Sequence, residues 1–346
     1  MRGISRRVRT LIVAGAVFLA LLVVSMTLPV PYVVLAPGLT CDTLSTCENQ
    51  TVVNVVGLKK DTTGALYLTT VNYTTDSLTI FDALSAWLQD DKVVVPRSAL
   101  FPPGQTTDQV NTQNKAEFAN SQNSAIVAAS CQLGFFKAFG VVGLTDKSPS
   151  KGKLRAGDAF VSLDGKPANT RDKLKAALAG EKPGARVDIV VKRQQGGERT
   201  ETIALGKPLQ GSKGASLGVE TNVEPSCLAP YQINLGLGDD IGGPSAGLMF
   251  ALGIMDKLGT NLTFGRTIAG TGTIDDAGEV GPIGGIQLKM IGAKRSGATV
   301  FLAPAGNCSD VKGAIPSGLQ VIKVDTLAHA VQYLKDSHAG KSVPSC

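Results

Sequence analysis

The first 37 residues decide where everything after them can fold. In RRVRTLIVAGAVFLALLVVSMTLPVPYVVLAP no charged side chain occurs between residues 10 and 37. The apolar run ahead of Pro29 is about as long as a helix must be to cross the hydrocarbon core of a bilayer. It exceeds the usual apolar region of a signal peptide, and no A-x-A cleavage site follows it. Arg2, Arg6, Arg7 and Arg9 stand on its N-terminal side. They predict a cytoplasmic basic tail over residues 1–9, a transmembrane anchor over residues 10–28 and an exported remainder. The expected location is the cell membrane, single-pass, with any catalytic domain extracytoplasmic. A cleaved signal peptide is the competing reading, and it leaves the body of the chain outside the cytoplasm as well.

Those four arginines also account for most of the formal net charge of +6. What remains is nearly neutral, so the charge balance gives no reason to expect nucleic acid as a partner. Six cysteines agree with export: Cys41, Cys47, Cys131, Cys227, Cys308 and Cys346 are even in number and lack C-x-x-C spacing. Such a set in an exported chain carries disulfides, with about fifteen full pairings open. A Cys41 to Cys47 bridge would close a short loop just past the membrane, and Cys308 to Cys346 would pin the tail. The remaining 309 or so residues suffice for about two domains with a sizeable core.

Three regions follow the anchor. Residues 29–123 form a membrane-proximal region, with strand-like alternation in ALYLTTVNY and a helix in LTIFDALSAWLQ. The polar stretch PPGQTTDQVNTQNKAEFANSQN reads as an exposed loop running into a helix, SAIVAASCQLG, that ends at Gly134. Residues 124–208 follow, with strands in GVVGLT, DAFVSLDG, ARVDIVVKR and ERTETIAL and a short amphipathic helix in TRDKLKAALAG. The L-R-A-G-D turn, the strand after it and D-G-K-P resemble bacterial PDZ domains. That resemblance implies a groove between a strand edge and the helix at 170–180, where a peptide adds as an extra strand. The glycine-hydrophobic loop that grips a C-terminal carboxylate in such domains is not evident before GVVGL.

The third region, residues 209–346, alternates strands and helices and contains GDDIGGPSAGLMFALGIMDKLG. Ser245 stands there between Pro244 and Ala246, where a run of glycines enters an apolar helix. A nucleophilic serine needs a base in hydrogen-bond reach and donors for an oxyanion. Histidine is nearly excluded as that base, because the two histidines, His329 and His338, both lie in the C-terminal helix TLAHAVQYLKDSHAG. G-P-S-A-G is also not a G-x-S-x-G elbow. A lysine does the same work when an apolar site lowers its pKa. Lys289 is the candidate, one turn beyond Gly284 and Gly285 and flanked by Leu288 and Met290, with Lys294 and Arg295 in the more polar half of the helix.

GGPSAGLMFALGIMDKL followed by TGTIDDAGEVGPIGGIQLKMIGAKRSGA, and then FLAPAGNCSD, resembles the proteolytic domain of the Lon family. The resemblance implies a Ser-Lys dyad of Ser245 and Lys289, with Thr271 helping to orient the lysine. Pro244 suits the first turn of a helix, which puts Ser245 at the positive end of a helix dipole. The backbone N–H groups of Ser245, Gly243 and Gly242 are then the candidate oxyanion donors. One departure is Gly242 itself, since Lon proteases often carry an acidic residue three positions before the serine. Asp239 and Asp240 lie slightly earlier and read as loop residues. GKS at 340–342 lacks the strand, glycine and helix of a P-loop, so ATP-driven unfolding is not expected from these residues.

The expected fold class is therefore α/β (α+β) multidomain, with an N-terminal transmembrane helix, a PDZ-like β-rich domain and a Lon-type α/β proteolytic domain. The layout is similar to the membrane-anchored Lon-like (YlbL-type) proteases. It implies a serine endopeptidase acting on unfolded or flexible extracytoplasmic proteins or peptides, with no cofactor and no metal. Lon relatives assemble into rings, so it also implies a homo-oligomer. The alternative is a tethered peptide-binding scaffold whose protease domain is inactive, and a third is a Ser-Lys hydrolase of non-peptide esters or amides. Zinc chemistry is disfavoured by two histidines near one end with no H-E-x-x-H.

Overall fold

The computed structural model describes residues 5–58, 63–74, 77–208, 214–238 and 241–346. Asp239 and Asp240, the acidic residues ahead of the candidate serine, fall outside them, as does Arg2. Helix α1 (Arg6–Thr27) is long and apolar enough to cross a membrane, and none of its residues is buried. Beyond it come β1 (Tyr32–Asp42), β2 (Ala65–Tyr73), α2 (Ile80–Trp87), β3 (Val93–Pro96) and the long helix α3 (Thr107–Gln132). A PDZ-like unit follows with β4 (Val141–Leu144), β5 (Ala159–Leu163), α4 (Arg171–Leu178), β6 (Arg186–Lys192), β7 (Glu198–Ala204) and β8 (Val219–Thr221). The chain ends with α5 (Gly247–Lys257), β9 (Thr267–Gly270), α6 (Ile286–Arg295), β10 (Val300–Pro304), β11 (Gln320–Val324) and α7 (Leu327–His338).

Six strands build the main sheet in the order β11-β10-β9-β2-β1-β3. β9 runs parallel to both β10 and β2, with Ile268 opposite Val300 and Leu66. β1 is antiparallel to β2 and β3. Residues 29–123, read from the sequence as a region of their own, thus supply three of the six strands and share one folded unit with residues 267–324. Side chains alternate across the sheet, as extended backbone requires. Leu66, Leu68, Ile268, Val300 and Leu302 pack with α5 and α7 on one face. Ala269, Phe301 and Ala303 pack with Ile286, Met290 and Ala293 of α6 on the other. The result is three layers, with α5, whose entry segment carries Ser245, and α6, which carries Lys289, on opposite faces of one sheet.

The polar stretch before residue 124 is a loop only as far as Thr106 and is helical from Thr107 onward. Thr106 and Gln109 form a capping box, each side chain bonding the other's backbone N–H. Ser121, Ala125, Ala128 and Ala129 are buried, and the helix packs on α5. Its small and polar inner face hid the amphipathic pattern. Gly134 does end this helix, at φ +80° with its N–H donated to the Cys131 carbonyl.

In the PDZ-like unit β5, β6 and β7 form an antiparallel sheet, with Val187 opposite Ile203 and Ile189 opposite Glu201. Asp158 is fully buried and held by the Arg193 guanidinium at 2.7 and 3.1 Å. The strand edge at β4 is not open. β8, from the segment leading to Ser245, pairs with it antiparallel, with Leu144 opposite Val219 and Val141 opposite Thr221. Leu217, just ahead of β8, is buried in the same cluster as Leu174 and Ala177 of α4. The chain itself therefore fills the edge at which a peptide was expected to add.

Three disulfides use all six cysteines: Cys41 with Cys47, Cys131 with Cys227 and Cys308 with Cys346. The two local pairings are those expected from spacing. The third ties the end of α3 to the segment after β8 and closes the whole PDZ-like unit into a loop of sequence separation 96. A closed loop that long restricts the unfolded chain by about 3–5 kcal/mol in the chain-entropy account. Replacing Cys131 and Cys227 together by alanine should therefore lower the unfolding free energy by that amount, read by denaturant titration, while the Cys41–Cys47 pair changed likewise should cost less.

Candidate functional site

Lys289 reaches the site because of how α6 begins. Gly285 precedes the helix at φ +68° with no side-chain cap, and a Cβ there would lie 2.9 Å from Val71 Cγ2. Only glycine meets both demands. The Lys289 N–H donates to the Gly285 carbonyl at 3.1 Å, so the lysine stands one turn into the helix. Ile286, Leu288 and Met290 are buried around it, and Lys289 itself is 3% exposed.

Ser245 comes from the other face of the sheet. α5 begins at Gly247, three residues after Pro244, so Pro244 is not in its first turn. The carbonyls that would start the helix earlier are bonded elsewhere. Ser121 Oγ donates to the Pro244 oxygen at 2.9 Å. Gly272 N–H and Thr271 Oγ1 donate to the Ser245 oxygen at 2.9 and 3.0 Å. The Leu248 N–H goes to the Gly272 carbonyl at 3.1 Å. Gly247 has to be small because a Cβ there would meet Ser121 Oγ at 2.6 Å.

The three residues singled out in the sequence meet at the lysine nitrogen. Lys289 Nζ is 2.8 Å from Ser245 Oγ, 3.1 Å from Thr271 Oγ1 and 2.9 Å from the Thr69 carbonyl oxygen. Hydrogen counting assigns each role. The Thr69 carbonyl only accepts. The Thr271 hydroxyl spends its one proton on the Ser245 carbonyl, so toward the amine it also accepts. A neutral amine has two N–H bonds for those two oxygens, and its lone pair is left facing Ser245 Oγ. Burial favours that neutral form, pulling the Lys289 pKa from 10.5 down to about 7.

The pair opens onto a cleft of about 670 Å³ lined by Thr69, Asn72, Tyr73, Asn111, Asn114 and Gly242 among others. Among the candidate oxyanion amides, Gly243 N–H is donated to the Asn114 carbonyl at 2.9 Å. Ser245 and Gly242 remain as the candidates in this arrangement. The other basic candidates lie elsewhere. Lys294 donates to the Gly318 carbonyl, His329 contacts Asp325, and His338 stacks on Phe264. No group of metal-ligating residues occurs among the described residues. Sequence reading missed Thr69, which acts through its backbone and carries no side-chain signal, and Asn111, Asn114 and Ser121, which lie on a helix taken for a loop in its first half.

Residues 239–336 match the family model of the Lon protease (S16) C-terminal proteolytic domain, and residues 116–205 match that of the PDZ domain. The chain therefore carries a PDZ domain followed by a Lon-type proteolytic domain. Lon protease 1 of Bacillus subtilis (strain 168) is 31% identical over 120 residues, which cover 33% of this chain and 15% of that protein. Lon protease of Rickettsia conorii is 34% identical over 101 residues, covering 29% of this chain and 13% of that one. The chain thus spans about a seventh of the length of these curated relatives. Among solved structures, the PDZ domain of an SdrC-like protein from Listeria monocytogenes aligns at 20% identity and a TM-score of 0.22, covering 25% of this chain and 88% of that one. A solution structure from Geobacillus thermodenitrificans aligns at 25% identity and a TM-score of 0.22, covering 24% and 95%.

A lysine buried in its neutral form leaves a mark on stability. Between about pH 7 and pH 10.5 the amine binds a proton when the chain unfolds but not while it is folded. Stability should then rise with pH across that window by about 1.4 kcal/mol per unit from this group, and be lost as pH falls through it. Lys289→Met should remove this slope and make the protein more stable than wild type at neutral pH, measured by guanidinium denaturation at a series of pH values.

Proposed function

We propose that this chain is a membrane-anchored serine endopeptidase that works without ATP through a Ser245–Lys289 dyad. The observation that carries the reading is the 2.8 Å contact between Ser245 Oγ and a lysine amine that is 3% exposed. In the proposed reaction the Lys289 lone pair takes the Ser245 proton as Oγ attacks the scissile carbonyl. The Ser245 and Gly242 amides face the oxyanion that forms. The ammonium then passes its proton to the leaving amine, and a water activated by the same lysine resolves the acyl-enzyme. Thr271 and the Thr69 carbonyl hold the amine in place without touching substrate, so they are positioning groups.

Peptides suit the cleft because of the sheet above it. β9 ends at Gly270, opposite Leu68, while β2 continues to Tyr73. Among the described residues the edge from Thr70 to Tyr73 has no strand partner on that side, and it lines the cleft, where an extended segment can add. A folded substrate has no such segment to offer, and these 346 residues contain no P-loop sequence that would supply unfolding work. Unfolded or flexible proteins are therefore the proposed substrates. An extracytoplasmic site for the domain is supported by α1, the arginines before it and the three disulfides. The PDZ domain is proposed to gate or recruit through the β4 edge. Because β8 occupies that edge, an incoming peptide has to displace the strand that leads to Ser245.

The test is hydrolysis of casein by the full chain in detergent, with and without ATP. Wild type should cleave equally in both conditions, and Ser245→Ala and Lys289→Ala should each lose at least about a thousand-fold. Cleavage that survives Lys289→Ala would move the base elsewhere. No cleavage by wild type, even after strand β8 is destabilised by Val219→Pro, would support the tethered scaffold instead.

A further inference from the structure

The densest apolar surface among the described residues of the folded part that the proposed function leaves unused lies on α2. This helix packs inward through Ala86, which is buried with Val34 and Leu78 against Val30 and Val94. Its outer side carries Phe81 at 50% exposure, Leu84 at 53% and Trp87 at 72%, and Leu88 just beyond it is 77% exposed. Four large apolar side chains left in water within eight positions form a costly surface for a soluble protein.

The position of α2 says what covers it. Two residues after α1 ends, Pro29 and Val30 pair with Thr79 and Leu78, and Thr79 is the N-cap of α2. α2 packs directly on α1. The described chain covers α1 only at Leu22 and Ser25, near its C-terminal end. Leu22 is five residues from Thr27, about 8 Å along the axis, so α2 lies at the depth where a spanning helix leaves the hydrocarbon. Leu28 and Tyr32, 51% and 42% exposed, continue the apolar surface beside it. Tryptophan and tyrosine at this level have an apolar body for acyl chains and a polar edge for headgroups.

We propose that α2 lies in the interfacial layer of the bilayer that α1 crosses, with Phe81, Leu84, Trp87 and Leu88 seated among the acyl chains. The inference rests on the membrane anchoring proposed above. Seating is by apolar area, because Asp82, Asp90, Asp91 and Lys92 beside the helix form no basic cluster that would draw it to anionic headgroups. The Asp82 carboxylate accepts from Thr79 N–H and Oγ1 in the helix cap, and Asp91 is paired with Arg295 at 2.7 Å. β2, whose last residue Tyr73 lines the cleft, lies a few residues before Leu78. The seat therefore fixes the distance and tilt of the cleft relative to the membrane.

Trp87 is the only tryptophan in the chain, so intrinsic fluorescence reports on this helix alone. The full chain would be reconstituted in phosphatidylcholine vesicles, recovered by flotation, and titrated with acrylamide or prepared with lipids brominated near the headgroup or near the bilayer centre. The expected result is blue-shifted emission, loss of most of it to bromine near the headgroup, little loss to acrylamide, and no change between low and high salt. Leu84→Ser with Leu88→Ser, both at exposed positions, should reverse the two quenching patterns while the chain still floats. Floating chain whose Trp87 is quenched by acrylamide and not by brominated lipid would overturn the proposal and leave the anchor standing. Protection from both quenchers would overturn it in favour of a second copy covering α2. Chain that does not float would refute the anchor, and this inference with it.

Discussion

A primary amine taken out of water at the bottom of a cleft is the constraint around which the rest of this structure is arranged. Charged, Lys289 would be an uncompensated buried ion, and no carboxylate is among its hydrogen-bond partners. Neutral, it needs two acceptors and a donor, and receives them from a strand backbone, a threonine hydroxyl and Ser245. The fold thus makes one protonation state comfortable and aims its lone pair at one oxygen. The proposed function requires that state of a base before substrate arrives, and its cost is stability at neutral pH.

Assembling those groups takes segments far apart in the chain. Thr69 comes from β2, Ser245 from the entry to α5, Thr271 from the end of β9 and Lys289 from α6. A mixed sheet with helices on both faces brings them together, because β2 and β9 lie side by side and both point their ends at the cleft. α3 adds a second support. Ser121 holds the Pro244 carbonyl, and Asn114 holds the Gly243 amide. The same helix is tied by Cys131 and Cys227 to the segment after β8, the strand that pairs with β4 of the PDZ domain. Movement in that domain therefore has a covalent and hydrogen-bonded route to the loop that carries the serine.

The candidate site was legible in the sequence through the resemblance to Lon proteolytic domains, which picked out Ser245, Thr271 and Lys289, the residues that meet in the fold. A serine between glycines and an apolar helix, and a lysine one turn past paired glycines, stand out because both break the rule that polar groups avoid apolar surroundings. Thr69 could not be found that way, since its carbonyl is the same in every residue. The membership of residues 29–123 in the main sheet was also hidden, because parallel pairing between β2 and β9 spans about two hundred residues and leaves no short-range signal. α3 was half missed because its buried face is built from serine and alanine rather than leucine. The pairing of β8 with β4 is likewise a tertiary choice, since VET is no better a strand than many loops in this chain.

The geometry at the bottom of the cleft makes Lys289 a neutral amine poised on Ser245. The most direct test of that state is nuclear magnetic resonance titration of lysine labelled with carbon-13 at Cε, with the Lys289→Met spectrum identifying the resonance. The midpoint should lie near pH 7 and should move when Ser245 is replaced by alanine. A midpoint near the ordinary lysine value of 10.5, unmoved by the serine, would contradict a neutral Lys289.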